Sequence, residues 1–476
     1  MVQVQLEVAV VLAAGEGTRM KSQTPKVLHQ IAGRTIIEHL LTEVHALSPK
    51  ELRVVIGSGR ELVEPHIKEV SPKSKIVIQA ERNGTGHATQ IALADLSSKG
   101  TVLILAGDTP LLRSETLTEF IASHHANKSM ASVLTAELPD PTGYGRIVRD
   151  SDGAIAAIVE ERDASEDLKL IEEVNAGVYL FDIETLKEHV IKLKKNNSQG
   201  ELYLTDVIKE IKDSGAQAMA ILALDFTETL GINDRVQLAD AAALMRDRIN
   251  ERHMLNGVTI VDPTTTWIDA TVEIESDVII YPGSWLVGKT KVGKKSLIGP
   301  RTTIKDSVVK ESASIVESNV TGAEIGCCAN VGPFSFIRTG TKLADNSKVG
   351  AYVEVKNSSI GDGTKVPHLS YIGDAEIGSG TNIGAATVVV NYDGVDKHQT
   401  KIGNDVRIGS DTMLVAPVEI GDGAYTAAGS VITDDIPAGA MGVARGKQRN
   451  ILGWVLRKRS GTKSAESARK AGATEN

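Results

Sequence analysis

The sequence predicts two folded units in one chain of 476 residues, an α/β domain built on a mostly parallel sheet and then a parallel β-helix, joined by a helix. Three observations predict this. Short apolar runs alternate with amphipathic stretches up to about residue 230, a helical pattern with one apolar stripe follows, and aliphatic residues then recur at every sixth position.

The apolar runs are Val8 to Ala13, Arg53 to Gly57, Lys75 to Gln79, Val102 to Ala106 and Ala131 to Thr135. Strands alternating with helical segments build a Rossmann-like sheet covered by helices, whose ligands sit at the carboxyl ends of the strands. The opening stretch, MVQVQLEVAVVLAAGEG, has no positive leader and passes straight into a glycine-rich turn. It reads as a buried first strand rather than a signal peptide. No stretch offers the ~20 uninterrupted apolar residues that cross a bilayer, so no membrane insertion and a cytoplasmic location are expected. This first unit is expected over residues 1–232.

Residues 233–256 carry Ala241, Leu244, Met245 and Ile249 at helical spacing among charges. They predict a connecting helix with one apolar face.

From 257 to 450 the six-residue period dominates. Positions 274, 280, 286, 292, 298 and 304 are Ile, Ile, Leu, Val, Ile and Ile, and positions 325 to 355 keep the same spacing. The register resumes at Ile360, Val366 and Ile372, and again at Ile402, Ile408, Leu414 and Ile420, lapses at Thr426, and returns at Ile432. Six residues make one flat strand and its turn, so three hexads close one triangular coil with the aliphatic side chain inward. The unpatterned segment Asn391 to Thr400 is expected to project as a loop.

Composition bounds the chemistry. A formal charge of -9 argues against a broad nucleic-acid footprint. Cys327 and Cys328 are adjacent, match no zinc spacing, and suit a reducing compartment. Few aromatics, 3%, and 44 glycines fit a repetitive, thin-walled architecture. The chain after Gly446 has eight basic residues against two acidic ones, and residues 451–476 are expected to form a basic, disordered tail.

The turn after the first strand reads Leu12-Ala13-Ala14-Gly15-Glu16-Gly17-Thr18-Arg19-Met20, followed by Thr24-Pro25-Lys26. Small residues and glycines expose backbone N–H groups to an anion, while Arg19 and Lys26 add mobile cations for polyphosphate. The run resembles the LAAG-x-G-T-R-M signature of sugar-1-phosphate nucleotidylyltransferases. Further runs in the same order resemble N-acetylglucosamine-1-phosphate uridylyltransferase: Gln79-Ala80-Glu81, Gly84-Thr85-Gly86-His87-Ala88, Ala106-Gly107-Asp108, Gly143-Tyr144-Gly145-Arg146, Val159-Glu160, Val174-Asn175-Ala176-Gly177 and Gly231-Ile232-Asn233.

That resemblance implies roles. Leu12, Ala13, Ala14 and Gly15 would bind the nucleotide, Arg19 and Lys26 its phosphates, and Gln79, Gly84 and Thr85 the uracil. Ala106 and Gly107 would lead to Asp108, which with Asn233 would hold Mg2+. Gly145, Glu160 and Asn175 would hold the acceptor, N-acetylglucosamine-1-phosphate. Alone, Gly-Asp at a strand end is equally a turn, and Asn233-Asp234 equally a helix cap. The implied reaction is in-line attack on the α-phosphorus of UTP with release of pyrophosphate.

Hexad helices also serve as inert trimerisation or regulatory appendages, so chemistry there rests on residues. The run from Lys365 through His368 and Tyr371 to Ala375 matches K-x-x-H-L-x-Y-x-G-D-A, and the chain from Arg338 to Arg445 resembles the glucosamine-1-phosphate acetyltransferase half of the bifunctional enzyme. The resemblance implies a left-handed helix, a homotrimer with sites between copies, and supply of cell-wall precursors. It makes His368 the general base and Glu354 its orienting partner. Arg338, Lys356, Tyr371 and Asn382 would hold glucosamine-1-phosphate, with Asn391 and Tyr392 approaching from the loop. Ala385, Ser410, Ala428 and Arg445 would line the acetyl-CoA side. Three positions depart from the family pattern: Thr339 for proline, Ala351 for asparagine and Ala386 for glycine.

Overall fold

The computed structural model describes residues 6–96 and 99–475. Residues 1–5 of the opening stretch lie outside them. The chain divides into two compact units, one running to Val272 and taking in Trp285–Gly288, the other made of Glu273–Ser284 and the chain from Lys289 onward.

The first unit follows the alternation of the sequence. Its elements are β1 (Val8–Ala13), α1 (Ile36–Ala46), β2 (Glu51–Ile56), α2 (Arg60–Val70), β3 (Lys75–Ile78), α3 (Thr85–Leu93), β4 (Thr101–Ala106), α4 (Ser114–Ala126), β5 (Ala131–Glu137), β6 (Arg146–Arg149), β7 (Ile155–Val159), β8 (Glu173–Asp182), α5 (Ile183–Val190), α6 (Asp206–Asp213), β9 (Ala218–Leu222) and α7 (Arg235–Leu255). One mixed sheet runs β9-β5-β8-β4-β1-β2-β3, with β6 pairing β8 and β7. β1 is parallel to both β2 and β4, whereas β8 is antiparallel to β4 and β5. β1 is buried on both faces, as a central parallel strand must be. One face packs Val11, Val54 and Leu105 against Leu40 and Phe120, the other Val10, Ile104 and Phe181 against Ala88 and Ile208.

Local chemistry sets the helix starts. Thr35 caps α1 by accepting from the Glu38 N–H at 3.2 Å, a Thr-x-x-Glu start. Asp234 caps α7, its Oδ1 accepting from the N–H groups of Val236 and Gln237, each at 2.9 Å. α7 is part of the first unit. Its Ala241, Leu238 and Leu244 pack on Met20, Ile31, Ile36 and Leu111, and Asn250 donates to the carbonyls of Pro263 at 2.9 Å and Thr266 at 3.0 Å.

The second unit is the left-handed parallel β-helix. Inward aliphatics stack coil on coil: Ile298, Ile315, Val331, Val349 and Val366 on one face, Val320, Ile337, Val355 and Ile372 on another, Val309, Ile325, Leu343, Ile360 and Ile377 on the third. All are essentially buried. Ile377 stacks directly on Ile402, so Asn391–Gln399 leaves the coil as a loop.

The lapse at Thr426 has a physical reason. Its side chain is buried, and its hydroxyl accepts from the Gly409 N–H at 2.8 Å. The corner after Ile408 thus satisfies a backbone donor with an inward hydroxyl. The tail also differs from expectation. Two short helices, α8 (Trp454–Lys458) and α9 (Lys463–Lys470), replace disorder, because Leu456 and Ala465 are buried and Thr462 caps α9.

The hexad pattern favours an aliphatic at 426, yet Thr426→Val should destabilise the protein by about 1–3 kcal/mol by stranding the Gly409 N–H. Urea unfolding followed by circular dichroism measures this. A variant more stable than wild type would show that the pattern alone governs the site.

Candidate active sites

In the first unit, the carboxyl ends of β1 and β4 open into a cavity of about 470 Å³. Its floor is the turn Leu12, Ala13, Ala14 and Gly15, faced by Gln79, Gly84 and Thr85 and by Ala106, Gly107 and Asp108. Lys26, Glu160 and Asn175 also line it. Two glycines are required by close approach. A Cβ on Gly17, at φ 64°, would lie 2.6 Å from the Lys26 Cβ, and one on Gly107 would lie 2.9 Å from the Leu12 carbonyl oxygen.

Arg19 and Asn233 stand beside the cavity and complete its charged end. The Lys26 ammonium pairs with the Asp108 carboxylate and also donates to Asn233 Oδ1 at 3.3 Å. Arg19 donates to the same Oδ1 at 2.8 Å. The cap of α7 is Asp234, so the Asn233 side chain is left to the cations. The Ile232 N–H bonds the Asp108 carbonyl at 3.0 Å, fixing the two segments together.

The wall expected to take the base is built on Gln79, whose amide donates to the Gly84 carbonyl at 3.1 Å and meets His87 Nδ1 at 3.3 Å. Thr85 Oγ1 accepts from the Leu204 N–H at 3.0 Å. On the wall expected to take the acceptor, Gly145 accepts from the Asn175 N–H at 2.8 Å. An irregularity in β8 between Asn175 and Tyr179 shifts the register there, and Asn175 Nδ2 donates to the Tyr179 hydroxyl at 2.6 Å. Glu160 follows β7 and accepts from Thr205 Oγ1 at 3.1 Å. Burial pushes its carboxyl above the usual range, against the Thr205 hydrogen bond, and the charges of Asp206 and Asp163 add to the rise.

Sequence reasoning missed Tyr179 and Thr205, which also line the cavity. Tyr179 shares a strand face with Asn175 and Gly177 at period two, a signal that was there to read. Thr205 has none, because only the fold brings it to Glu160.

In the second unit the expected residues spread over neighbouring coils. Phe336, Glu354 and Tyr371 are consecutive partners on one face. Arg338 donates to Glu354 Oε1 at 2.8 Å. His368 ends the strand Lys365–His368 beside Ala351 and is exposed. Among the described residues no hydrogen bond joins His368 to Glu354, so Glu354 is committed to Arg338 within the chain.

The centre of the polar cluster is Asp374, a residue inside the sequence motif that had no assigned role. Burial works against its charge, but hydrogen bonds from Asn357 and Asn391 and the ammonium groups of Lys356 and Lys397 hold its carboxyl below the usual range. Asn391 lies over Gly373, where a Cβ would meet the Tyr371 hydroxyl at 2.5 Å and the Asn391 amide at 2.9 Å. Tyr392 stays exposed on the loop, its hydroxyl donating to the Gly394 carbonyl at 2.7 Å.

Asn382 lies next to Lys365 on the adjacent face. Ala385 and Ser410 occupy one corner on successive coils: the Asp411 N–H bonds the Ala385 carbonyl at 2.7 Å, and the Gly429 N–H the Ser410 carbonyl at 2.9 Å. Ala428 immediately precedes that step, and Arg445 is exposed beyond the last coil strand. Ala386 takes φ 59°, a conformation that favours glycine. Alanine is tolerated there with local strain.

The oxygen-only pair Asp108 and Asn233 suits a hard divalent cation, since both oxygens already face one ammonium. No cluster of three or more His, Cys, Asp or Glu positioned for a metal occurs among the described residues. Water or phosphate oxygens would complete the shell of a magnesium-like ion held there.

Comparison with known proteins places these features. The nucleotidyl transferase family matches residues 8–270, and the bacterial transferase hexapeptide family, with six repeats, matches residues 399–434. The bifunctional protein GlmU of Streptomyces avermitilis is 54% identical over 462 residues, 96% of this chain and 96% of that protein. That of Corynebacterium diphtheriae is 50% identical over 471 residues, 98% and 97% of the two chains. That of Mycolicibacterium gilvum is 50% identical over 465 residues, 96% and 93%.

Glu160 supplies a sign-specific expectation. Its folded pKa lies above the ordinary 4.5, so ionisation penalises the folded state as pH rises through and beyond that value. Glu160→Gln should therefore stabilise the ligand-free protein at pH 7, with the gain fading as pH falls below 4.5. Thermal denaturation across that range checks it, and a gain that does not change with pH would contradict the assignment.

Proposed function

Because the chain belongs to the bifunctional GlmU family, we propose that its two units divide the synthesis of UDP-N-acetylglucosamine, a cell-wall precursor. The β-helix unit acetylates glucosamine-1-phosphate from acetyl-CoA, and the α/β unit transfers uridylyl from UTP to N-acetylglucosamine-1-phosphate. The observation that carries this reading is the cavity at the ends of β1 and β4, where a glycine-lined turn, two cations and an oxygen pair converge.

In the first reaction the sugar ammonium must lose a proton before its nitrogen can attack the thioester carbonyl. His368 takes that proton as the general base. Arg338, Lys356, Tyr371 and Asn382 hold the sugar phosphate, and Ser410 with nearby backbone N–H groups stabilises the oxyanion before coenzyme A leaves as its thiol. Glu354, held by Arg338 within the chain, would have to give up that bond to orient the imidazole.

In the second reaction an oxygen of the sugar phosphate attacks the α-phosphorus of UTP in line, a P–O bond to the β-phosphate breaks, and pyrophosphate leaves. Arg19 and Lys26 neutralise the triphosphate, Gln79 and Thr85 seat the uracil, and Glu160, Asn175 and Gly145 hold the acceptor. Mg2+ held by Asp108 and Asn233 would supply charge neutralisation at the phosphates.

The acetyl-transfer reading includes a homotrimer with sites between copies. Phe334, Tyr352 and Leu369 form an exposed apolar column on one corner beside His368, with Phe334 and Tyr352 stacked at 5.2 Å. Burial of that column by a second copy would bring neighbouring coils to the histidine. A cytoplasmic location fits the substrates UTP and acetyl-CoA and the free, adjacent Cys327 and Cys328.

Mass spectrometry of products from glucosamine-1-phosphate, acetyl-CoA, UTP and Mg2+ should find UDP-N-acetylglucosamine. With Asp108→Asn, N-acetylglucosamine-1-phosphate should accumulate instead. With His368→Ala, coenzyme A release should fall about 100-fold or more while added N-acetylglucosamine-1-phosphate is still uridylylated. An unchanged coenzyme A release rate would remove His368 from the role.

A further inference from the structure

Glu16 and Arg82 carry none of the roles assigned above, yet both line the mouth of the cavity in the first unit. Glu16 sits between Gly15 and Gly17 in the turn after β1, and Arg82 lies between Gln79 and Gly84, ahead of α3. A carboxylate inside a turn that binds polyphosphate is electrostatically out of place. Two like unit charges about 4 Å apart repel by about 1 kcal/mol even in bulk water, and by more at a protein surface.

The structure answers this with a partner. Arg82 Nη1 lies 2.5 Å from Glu16 Oε2, joining the phosphate turn to the segment that carries the base-side residues. Among the described residues no other cation pairs with Glu16, and no other acceptor takes the Arg82 guanidinium. Both side chains are about half exposed, 50% and 54%, so the pair contributes little to stability. Its consequence is electrostatic: it cancels the one negative charge within the turn itself.

Resting on the uridylyl-transfer reading, we propose that Arg82 is a positioning residue that neutralises Glu16, so that the turn accepts the triphosphate of UTP. Arg82 does this without contacting the nucleotide. Selectivity for a polyanion at this turn then depends on a residue of a different loop, and the two loops are coupled through one ion pair. The charge of Glu16 makes the coupling necessary: with a neutral residue at 16, Arg82 would be dispensable.

Isothermal titration of the full chain with UTP and Mg2+, together with steady-state kinetics, tests this with Arg82→Gln, Glu16→Gln and the double variant. Arg82→Gln should raise the Kd and KM for UTP about fivefold, the equivalent of about 1 kcal/mol, and leave kcat unchanged. Adding Glu16→Gln should restore UTP affinity to the wild-type value, and the Arg82→Gln defect should shrink at high salt. If the double variant binds UTP as poorly as Arg82→Gln, or if Arg82→Gln binds like wild type, the proposal is overturned. Failure of the wild-type chain to bind UTP or release pyrophosphate would instead defeat the uridylyl-transfer reading itself.

Discussion

The Lys26 ammonium, shared between the Asp108 carboxylate and the Asn233 amide oxygen, is the interaction that holds the charged end of the first unit's cavity together. It joins three distant pieces of chain: the turn after β1, the end of β4 and the start of α7. Each is held for its own reason. Gly17 leaves room for the Lys26 stem, the Ile232 N–H ties Asp108 to the third piece, and Asp234 takes over the helix cap. Pairing a partly buried ammonium with a carboxylate offsets little of its desolvation unless further hydrogen bonds complete the shell. Asn233 supplies one, and Arg19 crowds a second cation onto the same oxygen. The result is a charged end to the cavity, next to a floor of small residues, Ala13, Ala14, Gly15, Ala106 and Gly107, whose backbone N–H groups suit phosphate, while Gln79, Glu160, Tyr179 and Glu201 line the rest.

The second unit obeys a different constraint. Inward aliphatics from three faces fill a narrow prism, so there is no interior left for a pocket, and polar residues can gather only on faces and corners. That accounts for the arrangement of Arg338, Glu354, Tyr371 and Asp374 on adjacent coils and for the exposed His368. The loop from Asn391 adds a wall by bonding back to Asp374. A site assembled from convex surface needs a second surface opposite it, which is the physical basis for reading the unit as one copy of an assembly.

Most of the architecture was legible because its signals are local. The glycine turn after β1 and the aliphatic hexads are each written within a few residues, and each appears where the periodicity puts it. The Thr426 lapse was visible as a break but not as a hydrogen bond, because its partner, Gly409, lies one coil away. Thr205 was invisible for the same reason at longer range, reaching Glu160 only through the packing of α6 on β7. The helices of the tail were hidden by composition: Lys, Ser and Ala suit a solvated coil and a capped short helix equally, and burial of Leu456 and Ala465 decides between them. The bond between Glu354 and Arg338 likewise could not be read from spacing, since 16 residues separate them and only the coil length makes them neighbours.

Asp108 and Asn233 face one cation position, and the proposed function puts a triphosphate beside it. Crystals grown with UTP and Mn2+ and measured at the manganese absorption edge test it most directly. One anomalous peak is expected at about 2.1 Å from both an Asp108 carboxylate oxygen and Asn233 Oδ1, with the Lys26 ammonium turned to phosphate. A peak that touches only one of the two residues, or none beside the nucleotide, would contradict it.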